Sequence, residues 1–539
     1  MKKKIGIFAI IFMAIIFALS FCACNNTNND DDPNKNDDPT EEVCTHDWVK
    51  QYTVQATCLS PEKTVYICTV CRETKVELAK NKGNHAYINH LCMTCGERDP
   101  GVENTNSGDV KVYVYSLVSI GDVNTYTIEV VGNGQMADYD SAERAPWHKY
   151  AGQIVSVKFL DGVTHIGAHA FDACAEIKEI SFPDTVESIG DYAFNNVKNI
   201  TSLNLGNNLK KIGKYAFSGC ESLTNVDLPK SAVSVAPFAF YQCNRISDMT
   251  ISVPYTSGNE KINRYFGAYF GYTEDTEGKT FTQKITVDGV TYGFYVPTLL
   301  QNLNILEDGV IEDGSFENCV SIRNISLKGM ITSIGNYAFR GMENLQYITF
   351  EQDSLVSIGE YAFEDCISLG KDKQTDDPDA PPIKQDIILP STLTDMGTNV
   401  FFGCRSLQKV VFNGENVTEI PRGMFEGCSS LNTVILPESL TFINAKAFYA
   451  CTNLETIVIP KNVKTLSENA FGECSKLNVL YIDSKDVMCI DKDKSKLFKN
   501  AKYIYLLNTP KAEVSENSYI KNNYKFIRKV EDSDYYLWG

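Results

Sequence analysis

The 539-residue sequence predicts a repeat solenoid, a stack of short coils that share one continuous core. Three periodic observations carry this. Phe171, Phe194, Phe217 and Phe240 stand 23 residues apart, and the series resumes at Phe316, Phe339, Phe363, Phe401, Phe425, Phe448 and Phe471. A cysteine follows most of them by three residues: Cys174, Cys220, Cys243, Cys319, Cys366, Cys404, Cys428, Cys451 and Cys474. Spaced Leu, Ile and Val positions recur with the same period. A single coil of this kind cannot bury its apolar side, whereas a stack can.

A repeat of 20 to 29 residues with spaced aliphatics is a leucine-rich-repeat signal. The predicted fold class is therefore a leucine-rich-repeat superhelix with one short parallel β-strand and a short helical turn per coil. In "SLTNVDLP" the apolar points are Leu223, Val226 and Leu228. The Val-x-Leu step is the strand, with both apolar side chains inward, and Pro229 stops it. "KYAFSGC" then reads as a helical turn that drives Phe217 and Cys220 into the core. Burying each Phe contributes roughly 1.5–3 kcal/mol. Val197 and Met342 replace Cys in its column, so the column accepts small and medium apolar groups. Its cysteines are expected to be reduced core residues rather than disulfide partners.

The elements follow in order. Residues 1–23 read as a lipoprotein signal peptide: Lys2, Lys3 and Lys4, then an apolar run from Ile5 to Phe21, then Ala23 before Cys24. Cys24 is the expected lipidation site. Residues 24–43 are Asn/Asp-rich and read as a flexible tether. Residues 44–96 hold a Cys/His module, and 97–109 are a polar linker. Residues 110–153, with the alternating "VKVYVYSL", read as an N-terminal β cap. The solenoid spans 154–482, with insertions at 252–300 and 370–385. Within the first, Asp288-Gly289 between apolar alternations signals a hairpin. Residues 483–539 read as a C-terminal cap.

The Cys/His module carries two Cys-x-x-Cys pairs, Cys68/Cys71 and Cys92/Cys95, each preceded by a His-x-aromatic step at His46 and His85. This is zinc-ribbon-like spacing. The expected ligand sets for a structural zinc are His46, Cys58, Cys68, Cys71 and His85, His90, Cys92, Cys95. Cys44 competes with His90 in the second set. Disulfides are the rival reading, since the module lies behind an export signal.

Acidic residues outnumber basic ones 68 to 50, for a formal charge of −18, which argues against nucleic acid as a partner. No phosphate loop, hydrolase elbow or HExxH motif is present, so the sequence does not read as an enzyme, and no catalytic cofactor is expected.

The coil "IGKYAFSGCESLTNVDLPKSAV" resembles the BspA-like leucine-rich repeat of bacterial surface proteins. "GNGQMADYD" with "APW" resembles the segment that precedes such arrays, and "RYFGAYFG" with "FYVP" resembles a variant coil. The resemblance implies display on a bacterial cell surface, and the signal ending at Cys24 makes the expected display lipid-anchored. It also implies binding of a protein or glycan there, in adhesion or recognition. It supplies no transferable binding residues. A passive envelope scaffold is the alternative.

One residue column favours binding. The outward residue of each strand runs Lys158, Ser181, Asn204, Asp227, Thr250, Asn304, Ser326, Thr349, then Ile388, Val411, Ile435, Val458 and Tyr481. The first eight are polar and the last five apolar. On a concave parallel sheet these five would form a strip roughly 20 Å long, framed by Asp386, Lys409, Thr433 and Thr456. They are the candidate partner-binding residues.

Overall fold

The computed structural model describes residues 46–54, 61–69, 72–82, 87–88, 91–92, 97, 99, 101, 103–117, 124–252, 261–274, 282–306, 308–372, 384–483, 488–489, 503–506 and 527–529. The chain divides into two compact units, Met1–Pro100 and Gly101–Gly539.

In the first unit, Trp48–Val54, Pro61–Cys68 and Thr74–Lys82 form a three-stranded antiparallel sheet. Tyr87–Ile88 and Leu91–Cys92 form a separate two-stranded pair. The zinc-ribbon-like fold is not supported by these elements. Stretches such as Thr64-Val65-Tyr66-Ile67 favour extended backbone and pair with both neighbouring strands, with register shifts at Lys50/Tyr52 and Pro61/Lys63.

The second unit is a β-solenoid of about thirteen turns. It opens with three antiparallel strands, Glu103–Ser107, Val110–Leu117 and Thr125–Gly132. The last of these pairs in parallel with Ile154–Phe159, so the cap hands its register directly to the coils. Trp147 is buried against the first coil and donates its indole N–H to the Ala170 carbonyl at 2.7 Å.

Each coil contributes one strand to a front sheet and a shorter one to a back sheet. In the front sheet the inward residues are aliphatic and buried, as with Ile387 and Leu389, Val410, and Ile457 and Ile459. The register is that expected from the period: Asn204 lies opposite Asp227, then Thr250, Asn304, Ser326 and Thr349. Back strands such as Ser188–Ile189 and Lys211–Ile212 pair in the same way.

Neither sheet is unbroken. The front sheet is interrupted between Glu179–Ser181 and Ser202–Asn204, between Tyr347–Phe350 and Ile387–Leu389, and between Thr433–Ile435 and Thr456–Ile459. The back sheet is interrupted between Ser234–Val235 and Gly309–Ile311, and between Asp395–Met396 and Glu419–Ile420. At the last of these breaks Pro421 follows the strand. In other coils the residue at that place donates an N–H across the gap, as Gly397 does to Ile358 O and Asn444 to Ile420 O. Proline has no N–H to give.

The expected helical turn in each coil is corrected by the structure. The segment around each core Phe is a run of turns, with left-handed residues two before and two after it, such as Tyr192 and Asn196, both at φ 57°. The cause lies in where the N–H groups go. Tyr192, Phe194 and Asn196 donate to Lys214, Ala216 and Ser218 of the next coil at 2.7–2.9 Å. A helix would bond these groups internally and remove this third set of links between coils. Among the described residues the helical segments are short 3₁₀ turns, Ala142–Arg144, His148–Gln153, Lys261–Arg264 and Phe266–Phe270.

The Phe column is a stacked ladder, with centroids 5.4 Å apart from Phe171 to Phe194 to Phe217 and 5.2 Å apart from Phe425 to Phe448 to Phe471. The insertion at 252–300 does not break it. Phe270 and Phe266 fill the gap between Phe240 and Phe316, at 6.5, 5.5 and 5.3 Å. The predicted hairpin is present: Gln283–Val287 pairs with Val290–Phe294 around Asp288 and Gly289, both left-handed. Across the second insertion Phe363 still stacks on Phe401 at 5.3 Å.

Candidate functional site

The column thiols are buried. They are also donors, which the sequence did not show. Cys428 gives its S–H to Phe401 O at 3.1 Å, Cys451 to Phe425 O at 3.2 Å and Cys474 to Phe448 O at 3.0 Å. Each bond crosses to the preceding coil. The inward side chains are thus taken up by packing, and the outward columns of the front sheet face solvent.

The polar half of that surface is bonded to itself. Thr250 donates to Asp227 Oδ1 at 2.8 Å, and Asn304 Nδ2 donates to Thr250 Oγ1 at 3.3 Å. In the adjacent column Asn302 donates to Asp248 at 2.7 Å and Asn324 to Asn302 at 2.8 Å. Thr349 and Ser326 are joined at 3.1 Å, and Ser326 also bonds Glu351.

The apolar half is different. Ile388 lies opposite Val411, Val411 opposite Ile435, and Val458 opposite Tyr481. Ile388 is 55% exposed, Ile435 50% and Val458 43%, while Val411 and Tyr481 are half-buried. The register lines up Ile388, Val411 and Ile435 on one side of the break after Thr433–Ile435, and Val458 and Tyr481 on the other. In the adjacent column Lys409 Nζ is 2.8 Å from Asp386, and Thr433 stands at the next position. The column runs on past the predicted residues. The strands Tyr503–Leu506 and Ile527–Lys529 continue the parallel sheet and place Tyr505 opposite Tyr481, and Arg528 opposite Tyr505. Neither position is visible in the sequence, because the repeat pattern has faded there.

The metal candidates are only partly within the described residues. His46 stacks on Trp48 with centroids 4.9 Å apart and lies 3.4 Å from Glu73. Cys68 is buried and stands opposite Trp48 in the strand register, so His46 and Cys68 lie at the same end of that strand pair. Cys92 is paired with Tyr87 through the backbone. Cys58, Cys71, His85, His90, Cys95 and the lipidation candidate Cys24 lie outside the described residues. Among the described residues no group of three or more His, Cys, Asp and Glu could hold a metal ion.

One arrangement has the composition of a hydrolytic triad. His165 Nδ1 is 2.7 Å from Ser188 Oγ, and its Nε2 is 3.1 Å from Asp138 Oδ1. It sits on the back sheet, where the Glu187 and Gly190 N–H groups are already bonded to Thr164 O and Ile166 O. Those donors are not available to an oxyanion. The trio ties the cap residue Asp138 to the first two coils, and Asp138 also accepts the Ala168 N–H at 2.7 Å.

Among solved structures, a leucine-rich repeat protein from Bacteroides ovatus is 19% identical over 78% of this chain and 98% of its own, with a TM-score of 0.37. One from Eubacterium ventriosum is 20% identical over 69% and 94%, with a TM-score of 0.27. A leucine rich cell surface protein from Faecalibacterium prausnitzii is 21% identical over 71% and 95%, with a TM-score of 0.22. No curated protein sequence matches the chain. The sequence model of the BspA type leucine rich repeat region matches in six copies over residues 148–266, 291–374 and 383–505. These segments make up more than half of the residues and coincide with the coils described above, and the chain belongs to the BspA-type leucine-rich-repeat family.

Proposed function

We propose that this protein is a binding protein displayed on a bacterial cell surface. It recognises a protein or glycan through the apolar half of the front sheet. The observation that carries the reading is the line Ile388, Val411, Ile435, Val458 and Tyr481, half-buried to exposed beside a polar border. Aliphatic side chains held in solvent at consecutive coils gain free energy when a partner removes them from water. β-Branched residues favour strands, which accounts for Ile and Val but not for their absence from the first eight positions. The family supports surface display, since BspA-type proteins are typically bacterial surface proteins. A passive spacer is the second reading, favoured by the self-bonded polar half.

Replacing Val411, Ile435 and Val458 together with Thr tests the strip. Binding to purified extracellular-matrix proteins and a glycan array is expected to weaken about tenfold or more for the recognised ligand, with the melting temperature nearly unchanged. Unchanged binding with an intact fold would reject the strip as the site.

Two further parts of the reading concern the N-terminal region. Cys24 is the lipidated first residue of the mature chain, and residues 24–43 tether the folded units to the membrane. His46, Cys58, Cys68 and Cys71, with His85, His90, Cys92 and Cys95, hold structural zinc that orders the 44–96 module. Native mass spectrometry of the exported protein addresses both at once. It should show a diacylglyceryl-modified Cys24 and one or two zinc ions. An unmodified N-terminus removes the anchor, and a zinc-free module with three disulfides removes the metal.

A further inference from the structure

The N-terminal cap holds a pair of tyrosines beside a carboxylate, away from the strip and from the column of thiols. We propose that Tyr126 and Tyr150 are an oxidative cross-linking site, with Glu103 as the proton acceptor. Hydrogen peroxide acting through a haem peroxidase would join the two rings there and lock the cap to the first coil.

Three elements build the site. Tyr126 stands on Thr125–Gly132, opposite Ile154 in the register. Tyr150 lies in the 3₁₀ turn His148–Gln153, which runs directly into the first coil strand Ile154–Phe159. The two ring centroids are 4.5 Å apart, the planes are inclined by 46°, and both side chains are half-buried. The third member is Glu103, on the edge strand Glu103–Ser107, whose Oε2 accepts the Tyr150 hydroxyl at 3.1 Å. Lys149 Nζ is 2.6 Å from the same oxygen and holds the Glu103 carboxyl below the usual carboxylate range, so it stays ionised. A phenol loses an electron more readily when its proton can pass at once to a base already bonded to it. Two other tyrosine pairs are wider and meet nearly face to face, Tyr192 with Tyr215 at 4.9 Å and 21°, and Tyr337 with Tyr361 at 5.4 Å and 8°. A bond between two phenol rings joins them edge to edge, which the inclined pair approaches more nearly than the stacked ones.

The chemistry balances with one peroxide. Each tyrosine gives up one electron. Tyr150 passes its hydroxyl proton to Glu103 and Tyr126 passes its own to water. The two phenoxyl radicals then join through the Cε carbons ortho to their oxygens. The hydrogens of those two carbons move to the oxygens and restore both hydroxyls. The two electrons and two protons released reduce one hydrogen peroxide to two waters. The new bond closes the chain between Tyr126 and Tyr150, which restricts the unfolded state and keeps the cap seated.

The test treats the full chain in dilute solution with a haem peroxidase and hydrogen peroxide, and locates cross-linked peptides by fragmentation mass spectrometry. The expected product is a Tyr126–Tyr150 bond within one molecule, two hydrogens lighter than the separate peptides. Tyr126→Phe should abolish it. Glu103→Gln should lower its yield about tenfold or more, because the bonded proton acceptor is gone. Lys149→Met breaks the same ion pair but keeps the acceptor, and it removes a cation 5.2 Å from the Tyr150 ring centroid that opposes loss of an electron. Its yield should therefore equal or exceed that of the parent chain. No bond between Tyr126 and Tyr150, or a product dominated by Tyr192–Tyr215 or Tyr337–Tyr361, would overturn the proposal. So would an equal loss of yield in Glu103→Gln and Lys149→Met, which would make the ion pair a structural tie alone. The parent chain and Lys149→Met decide the matter even if Glu103→Gln melts early.

Discussion

A thiol such as Cys428 does two jobs in one place. Its volume suits the column, and its S–H reaches the Phe401 carbonyl of the coil before it. Val197 and Met342 fill the same column without that donor. Burial pushes the Cys174 and Cys474 thiols up from 9.0 to about 12, and it pushes Cys404 and Cys451 up as well. A raised thiol pKa means that the folded chain keeps its proton where the unfolded chain has lost it. The stabilising contribution is therefore complete below pH 9 and falls as pH rises toward 12. Each such thiol adds a slope of about 1.4 kcal/mol per pH unit in that window. The melting temperature should drop steeply above pH 9. Changing Cys174 and Cys474 to Val should flatten that drop while altering stability at pH 7 only modestly. An identical alkaline slope in the variant would show that the thiols are not its source.

At the scale of the element, coil contact is set by backbone approach. Gly359 opens the turn after the back strand Ser357–Ile358, and its N–H bonds Ile334 O at 2.7 Å. A Cβ there would stand 2.5 Å from the Asn336 N of the neighbouring coil. Gly359→Ala should therefore cost about 1–3 kcal/mol, read as a shift in the denaturant midpoint. A loss below about 0.5 kcal/mol would mean that the coils can part at no cost there. The sequence showed this element incompletely, for a definite reason. The Phe spacing, the inward Val-x-Leu steps and the Asp288-Gly289 hairpin are local patterns, and they appear in the structure as read. The left-handed turns are not local in origin. Ala173, Tyr192, Lys446 and Ala450 take positive φ, although none is a residue that favours it. Donation of N–H groups to the next coil imposes that conformation, so "KYAFSGC" looked helical in isolation. The strip was legible through its alternation. Its continuation to Tyr505 and Arg528 depends on strand pairing that leaves no repeat signature.

At the scale of the whole solenoid, the placement of the breaks in the two sheets matters more than their number. Where the front sheet stops between Ser181 and Ser202, the back strands Ser188–Ile189 and Lys211–Ile212 stay paired. Where it stops between Phe350 and Ile387, Ser357–Ile358 and Asp395–Met396 stay paired, and where it stops between Ile435 and Thr456, Phe442–Ile443 and Thr465–Leu466 do. The converse holds at the back. Across the gap at Pro421, Ile387–Leu389 remains bonded to Lys409–Phe412, and across the first insertion Asn225–Asp227, Asp248–Ile251 and Asn302–Ile305 form one continuous run. The coils are thus laid like overlapping courses of masonry, with no joint passing through the full thickness of the wall. Tension along the axis that reaches a joint on one side is carried past it by the other. A molecule built this way has no pre-cut plane among its described coils, and a load that finds a seam on one face meets an unbroken pair of strands on the other.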